Sequence, residues 1–322
     1  MSSVEVRQFR RSDRDQLTQL VNAHAAAVVP GMSVSVSTVL SSLERQPGEF
    51  IEDPWVSERV TLVAEQADRV AAAAHLLRHF SDDRAGEAAR GVGEIHWLLF
   101  WPEAPAGNPC WPDATEAAET LMAACIRQLE EWGVTRQHAG GELPVPGVYG
   151  VPEQWPHIRA IYRRAGFAHT GHTEVVYLAR VDDLPRPAGI PITGLSVRRS
   201  VGMNGTRLCA VLGEDVIGYI EVETFEEGER LARHGEWADI GKLHVTERYQ
   251  RRGVASWLLG QAAAWLRMAH VDRLLNYAWL EGTDPGGVDY AGYRAFLPAV
   301  GFQELTRTKR GWNRAQRQDL AS

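Results

Sequence analysis

The stretch WADIGKLHVTERYQRRGVASWLLGQAAAWLRMAH, from Trp237 to His270, holds most of the chemistry that can be read from this chain. Its centre is the basic run Gln250-Arg251-Arg252-Gly253-Val254-Ala255, followed by Val254, Leu258, Ala262 and Leu266 at helical spacing. The first N–H groups of a helix lack intrahelical partners, and the dipole adds partial positive charge at that end. A phosphate is a natural guest there. Gly253 has no Cβ, so a bulky group can approach the backbone. Arg251 and Arg252 can add charge-assisted hydrogen bonds, each on the order of 1.5–3 kcal/mol. On these grounds alone an anion cradle and a solvated turn fit the loop equally well. The elements that must position it are a short strand, Ile240 to Val245, before the loop and a helix after it.

The spacing Gln250-x-x-Gly253-x-Ala255 resembles the Gln/Arg-x-x-Gly-x-Gly/Ala signature of the GNAT superfamily of N-acetyltransferases. The flanks are similar as well: a strand ending in Leu243-x-Val245, then Tyr249, then the loop, then a Leu-rich helix. The resemblance implies acetyl-CoA as cofactor. Gln250, Arg251, Arg252, Gly253, Val254, Ala255 and Ser256 would hold its pyrophosphate. The backbone at Leu243 and Val245, with His244 between them, would hold the pantetheine arm. A direct transfer to a primary amine is the implied reaction.

Amine acetylation makes a simple demand. An alkyl ammonium has a pKa of roughly 10.4, so a base must take a proton before nitrogen can attack. In many members of the family that base is a carboxylate early on the strand before the loop, a place held here by Asp239. Strict alternation would put Asp239, Gly241, Leu243 and Val245 on one face. A carboxylate desolvated there would have its pKa raised, which suits a base. Glu221 and Glu223, alternating on the preceding strand, are neighbours that could share the task through water. By the same resemblance the Leu243 N–H is the oxyanion donor. The family's acid, a tyrosine four residues before a Gly-Phe pair, is replaced by Leu297, and Tyr293 or Tyr290 are the substitutes within reach. His244 alternates away from the pantetheine face and reads as a core or surface histidine. Glu226, Glu227 and Glu229 could attract a cationic amine. Trp279, Glu281, Asp284 and Asp289 follow the next strand and could line the acceptor side.

The 322 residues suffice for two domains, with 44% hydrophobic and 23% charged residues. A net charge of −7 argues against a nucleic-acid partner and is compatible with a cationic small-molecule substrate. Three cysteines, Cys110, Cys125 and Cys209, make neither a disulfide framework nor a zinc site, so a reducing, cytoplasmic setting is expected. No apolar run approaches membrane-spanning length.

The N-terminal half also reads in GNAT order: strand, two helices, strands, helix, strand, helix, strand. Tyr162 stands four residues before Gly166-Phe167, and Glu94 in GEIHWLLF falls where Asp239 falls. After Phe100, however, WPEAPAGNPCWPD replaces the phosphate loop, and proline has no N–H to offer. Asp182 to Pro191 is dense in proline and reads as a linker. The expected fold class is therefore α/β (α+β), with two GNAT-like domains that each carry a mixed, mostly antiparallel sheet flanked by helices. A degenerate domain would span 1–186 and a cofactor-binding domain 187–322, the latter lacking the family's first two helices. A non-catalytic acyl-CoA sensor or scaffold is the alternative from another class. A mycothiol-synthase-like acetylation of a cysteinyl amine, or a longer acyl donor, are alternatives within the enzyme class.

Overall fold

The structure is a computed structural model that describes residues 3–44, 54–102, 114–186, 189–203, 205–224, 237–280 and 290–315. It divides into two compact units, residues 1–173 with 307–322, and residues 174–306.

In the first unit the elements in chain order are β1 (Glu5–Gln8), α1 (Arg14–Val28), α2 (Val36–Leu43), β2 (Val56–Gln66), β3 (Arg69–His79), β4 (Val92–Phe100), α3 (Thr115–Glu131), β5 (Arg136–Ala139), β6 (Val151–Pro152), α4 (Pro156–Arg164) and β7 (Phe167–His169). The alanine run in β3, ambiguous by sequence between helix and strand, is a strand. Both α1 and α3 pack on it, and Ala71 to Ala74 are buried. A strand covered on both faces needs no alternation, and small side chains let helices approach each side. The helix α2 is capped by Ser35, whose hydroxyl accepts from the Thr38 N–H at 3.1 Å.

The second unit holds β8 (Thr173–Arg180), β9 (Leu195–Val201), β10 (Thr206–Leu212), β11 (Asp215–Thr224), β12 (Trp237–Val245), α5 (Val254–Met268), β13 (Arg273–Trp279), α6 (Tyr290–Ala299) and most of β14 (Gln303–Lys309). The strand order is β14-β8-β13-β12-β11-β10-β9, and β12–β13 is parallel. Helix α5 buries Leu258, Leu259 and Leu266 against Val222, Ile240, Val245 and Leu274. At its far end the Arg267 guanidinium donates to the carbonyls of Val181 at 2.6 Å and Leu184 at 3.0 Å, which ties the entering chain to the last turn. No helix separates β9 from β10, as the short spacing there required.

The division differs from the sequence expectation at both ends. Strand β8, expected to finish the first domain, pairs with β13 in the second unit. The C-terminal stretch after Phe302 forms two strands. Its last part, β15 (Trp312–Arg314), pairs with β5 and β7 in the first unit. Gly311, at φ +76, makes the break. Among the described residues, no helix is long and apolar enough to cross a membrane.

Candidate functional site

The site is built where β12 and β13 part. Their parallel pairing covers only Trp237 to Asp239 against Arg273 to Leu275. On its other side β12 stays paired with β11, but through a bulge: Val222 faces Ile240 and Glu221 faces Lys242, leaving Gly241 unmatched. This bulge corrects the single-face expectation. Asp239 and Glu223 share one face with Lys242 and His244, whereas Leu243 and Val245 turn to the α5 face. The extra residue exchanges the faces of everything beyond it.

The bulge leaves the main chain usefully placed. The Thr246 N–H donates to the Ile217 carbonyl at 2.9 Å, which fixes the ladder's phase. Lys242 and His244 therefore face β11, while the N–H and C=O of Leu243 and Val245 point to the opposite edge, where β13 has diverged. The Val245 carbonyl accepts from Gln250 Nε2 at 3.0 Å, in agreement with this phase. The result is a slot with an open backbone edge that begins at Asp239 and runs toward the basic loop.

That loop is shaped by two left-handed residues, Arg251 at φ 56 and Gly253 at φ 80. Gly253 is the N-cap of α5 and supplies no side chain, so the first N–H groups of the helix look outward unscreened. A Cβ on Gly253 would also stand 3.4 Å from Pro191. Arg251, Arg252 and Gln250 are exposed, Ala255 and Ser256 are half-buried, and Val254 is buried. The loop thus presents helix amides beside two arginines.

At the other end of the slot stands Asp239. Its Oδ1 is sealed from solvent and, among the described residues, has no hydrogen-bond partner. Its Oδ2 accepts from the Tyr277 hydroxyl at 3.2 Å. Burial raises the carboxyl from its ordinary value of 3.8 to about 7; the Tyr277 bond opposes the rise and the Glu223 charge adds to it. Glu223 is the direct cross-strand neighbour, and its carboxylate folds over Gly241, filling the space a Cβ there would need. Tyr277 carries no motif, and only the pairing of Asp239 with Leu275, two residues before it, brings it to the site. Glu221 does not join this group. It is buried and locked to Arg207, with Oε2 accepting from Nε at 2.9 Å. Its proposed share in the base's task is thereby corrected to a structural ion pair.

Tyr293 lies on the opposite face of β13. Its hydroxyl oxygen accepts from Asn276 Nδ2 at 2.8 Å, and the ring stacks on Phe296. Asn276 is buried on the α5 side, one residue before Tyr277, so adjacent residues of one strand hold Asp239 from one face and Tyr293 from the other. Leu297 is fully buried and belongs to the core. His244 is exposed, with its ring 5.6 Å from that of Tyr219. Trp279 is half-buried at the end of β13. Glu226, Glu227, Glu229, Glu281, Asp284, Asp289 and the side chain of Tyr290 lie outside the described residues. Among the described residues no cluster of three or more His, Cys, Asp or Glu could hold a metal ion.

Residues 184–285 match the model of the acetyltransferase (GNAT) family. They form a GNAT domain. No curated protein matches the sequence significantly. Among solved structures, a tandem GNAT protein from the clavulanic acid biosynthesis pathway matches with a TM-score of 0.61 at 14% identity, over 97% of this chain and 98% of that one. A GCN5-related N-acetyltransferase from Sphaerobacter thermophilus matches with a TM-score of 0.57 at 12% identity, over 96% and 94% of the two chains. The glucosamine N-acetyltransferase region of a fungal multi-domain GH3 beta-N-acetylglucosaminidase matches at 0.60 and 13%, over 97% of this chain and 38% of that one, so this chain spans well under half its length. At these identities the likeness is one of fold, and it extends over both units: the chain has a tandem GNAT architecture.

The N-terminal unit repeats the bulge. Leu76 faces Ile95 and His75 faces Trp97, so His96 is the extra residue, and Glu94 stands where Asp239 does. Here the chain beyond β5 stays paired with β4 as far as the bulge residue. The N–H of Gly140 donates to the Ile95 carbonyl at 2.8 Å, and that of Glu142 to the His96 carbonyl at 3.3 Å. Tyr162 is fully buried and donates to the Gly140 carbonyl at 2.7 Å, pinning this segment. Burial works against the Glu94 charge, but His79 Nε2, 3.5 Å from Oε2, and His96 Nδ1, hydrogen-bonded to Oε1 at 3.3 Å, outweigh it and hold the carboxyl below its usual range. The prolines after Phe100 fall among residues 103–113, outside the described residues.

Proposed function

We propose that the C-terminal GNAT domain transfers an acetyl group from acetyl-CoA to a primary amine of a small molecule by direct attack. The observation that carries this is the open backbone edge of β12, with a buried carboxylate at one end and a glycine-capped basic helix start at the other. Acetyl-CoA fits these residues: Leu243 and Val245 offer main-chain groups for an amide-bearing arm, and Gly253 leaves room at the head of α5 for a pyrophosphate beside Arg251 and Arg252. When bound, it supplies the activated acetyl thioester. Asp239 takes the ammonium proton; with a pKa of about 7, roughly half of it is ionised at neutral pH. The Leu243 N–H offers a donor to a carbonyl oxygen at the slot. Tyr293, oriented by Asn276, is the candidate proton donor to the leaving thiolate. The Asp239–Glu223 pair favours a cationic acceptor, and the net charge of −7 suits such a partner better than nucleic acid. A cytoplasmic setting, where acetyl-CoA is made and used, accords with this reading. Amino sugars belong in the first acceptor screen, since one structural neighbour carries a glucosamine N-acetyltransferase region.

The test is calorimetric titration of acetyl-CoA into the wild type and into Gly253→Glu. One site per chain, lost in the variant, is expected; two sites would mean that the N-terminal unit also binds the cofactor and would refute the assignment to the C-terminal domain alone. The sensor reading is favoured by one residue, Leu297 in the place of the family's tyrosine. Intact binding with no turnover across a broad amine panel would establish it instead.

A further inference from the structure

Asp239 has two carboxyl oxygens in unlike surroundings. Oδ2 accepts from the Tyr277 hydroxyl, whereas Oδ1 is buried and without a partner among the described residues. A carboxylate free to rotate about its last bond would exchange these positions. Tyr277 is itself well fixed: β13 is paired along its whole length with β8, and Tyr277 faces Val176 there. We propose that Tyr277 is a positioning residue for Asp239, holding Oδ2 so that Oδ1 alone is presented to accept the proton of the incoming amine.

The proposal rests on the acetyl-transfer reading and deepens it. In the step it serves, an N–H bond of the ammonium breaks and an O–H bond forms at Oδ1, and the electron pair stays on nitrogen. Tyr277 gives up no proton; its hydroxyl keeps donating to Oδ2. The same bond also moderates the base. Burial and Glu223 both favour the protonated carboxyl, and the Tyr277 hydroxyl pulls the other way. The charged or titratable groups on the Asp239 face of β8, β11, β12 and β13 include, among the described residues, Glu223, Glu221 with its partner Arg207, Lys242, His244 and Tyr219 beyond the bulge, Tyr277 itself, Arg273 over the Trp237 ring with Arg180 opposite it, and Glu174 opposite Trp279. Of the acidic ones Glu223 is directly opposite Asp239, so removal of the Tyr277 hydroxyl leaves it dominant.

The experiment is a carbon NMR titration of the full chain carrying labelled aspartate carboxyls, with the Asp239 signal assigned by its loss in Asp239→Asn. In Tyr277→Phe the titration midpoint should rise by about one pH unit, as expected for loss of a hydrogen bond to a carboxylate. With 3-fluorotyrosine at position 277, a stronger donor of nearly the same shape, the midpoint should fall. This second variant keeps the test open if Tyr277→Phe does not fold. Once an amine acceptor is in hand, the acid limb of kcat/KM should move with the midpoint, a response that a merely structural role would not give. A midpoint unmoved by both changes overturns the proposal. Absence of acetyl-CoA binding by calorimetry would instead refute the transfer reading and leave the midpoints as measured, so the two failures are distinguishable.

Discussion

Asp239→Asn should cost activity and gain stability, and the gain should depend on pH in a defined way. The carboxyl titrates at 3.8 in an unfolded chain and at about 7 in the folded one, chiefly because it is buried. A group that binds its proton more tightly when folded contributes stability fully below its unfolded value and loses that contribution as pH rises through the folded value. For Asp239 the window is 3.8 to about 7. Above it, the wild type carries a desolvated charge opposite Glu223. Asparagine stays neutral throughout and can still accept from Tyr277. The displacement sets a ceiling of about 4 kcal/mol. Solvent reaching the rest of this half-buried side chain reduces the realised figure to about 2 kcal/mol. Urea unfolding followed by tryptophan fluorescence, at pH 4, 5, 6, 7 and 8, measures the difference. It should be near zero at pH 4, climb through pH 6, and level off by pH 8. Over the same range turnover should drop on the order of 10²–10⁴-fold, since the base is gone. A difference that is flat with pH, or a variant less stable than wild type at pH 8, would refute the reasoning.

In the N-terminal unit His24 Nε2 and His157 Nε2 stand 3.0 Å apart, and burial lowers their pKa values to about 3 and about 4. Their folded values lie below the ordinary 6.5, so stability should be full above that pH and fall as the medium is acidified toward 4; His24→Gln should flatten this fall in urea midpoints taken between pH 7 and pH 4.5. Arg207→Met leaves the buried Glu221 carboxylate alone and should lower the urea midpoint, by less than the loss of one partner from a fully buried pair because Arg207 is part-exposed. Adding Glu221→Gln should recover most of that loss in a double-mutant cycle, and acetyl-CoA affinity should not change in any of the three variants.

The cofactor-facing half of the site was legible in the sequence because it depends on local chemistry. A glycine at the head of a helix, two arginines and a strand before them are all close in the chain, and the left-handed Gly253 is what such a loop needs. The internal likeness of the halves was legible in Glu94, Tyr162 and Gly166-Phe167. Faces were not. Alternation assumes an unbroken ladder, and one extra residue at Gly241 moved Leu243 and Val245 to the α5 side while leaving their main-chain groups at the open edge. Tyr277 and Asn276 were invisible because each acts through a partner distant in sequence, Asp239 and Tyr293. Loss of the N-terminal phosphate loop was read from prolines that lie outside the described residues; the N–H groups of Gly140 and Glu142, which hold β4 as far as its bulge, carry no signature at all.

The exchanged strands bear on how such a chain can be taken apart. A cut at the proline-rich linker looks natural, yet it would leave β8 on the fragment that does not use it and carry β15 away from the sheet that does. Each unit is therefore completed by residues from the far side of the linker. Neither half, expressed alone between the linker and its own terminus, would own a full sheet. In the order of its strands, the chain is one piece that cannot be divided at its linker without loss to both sheets.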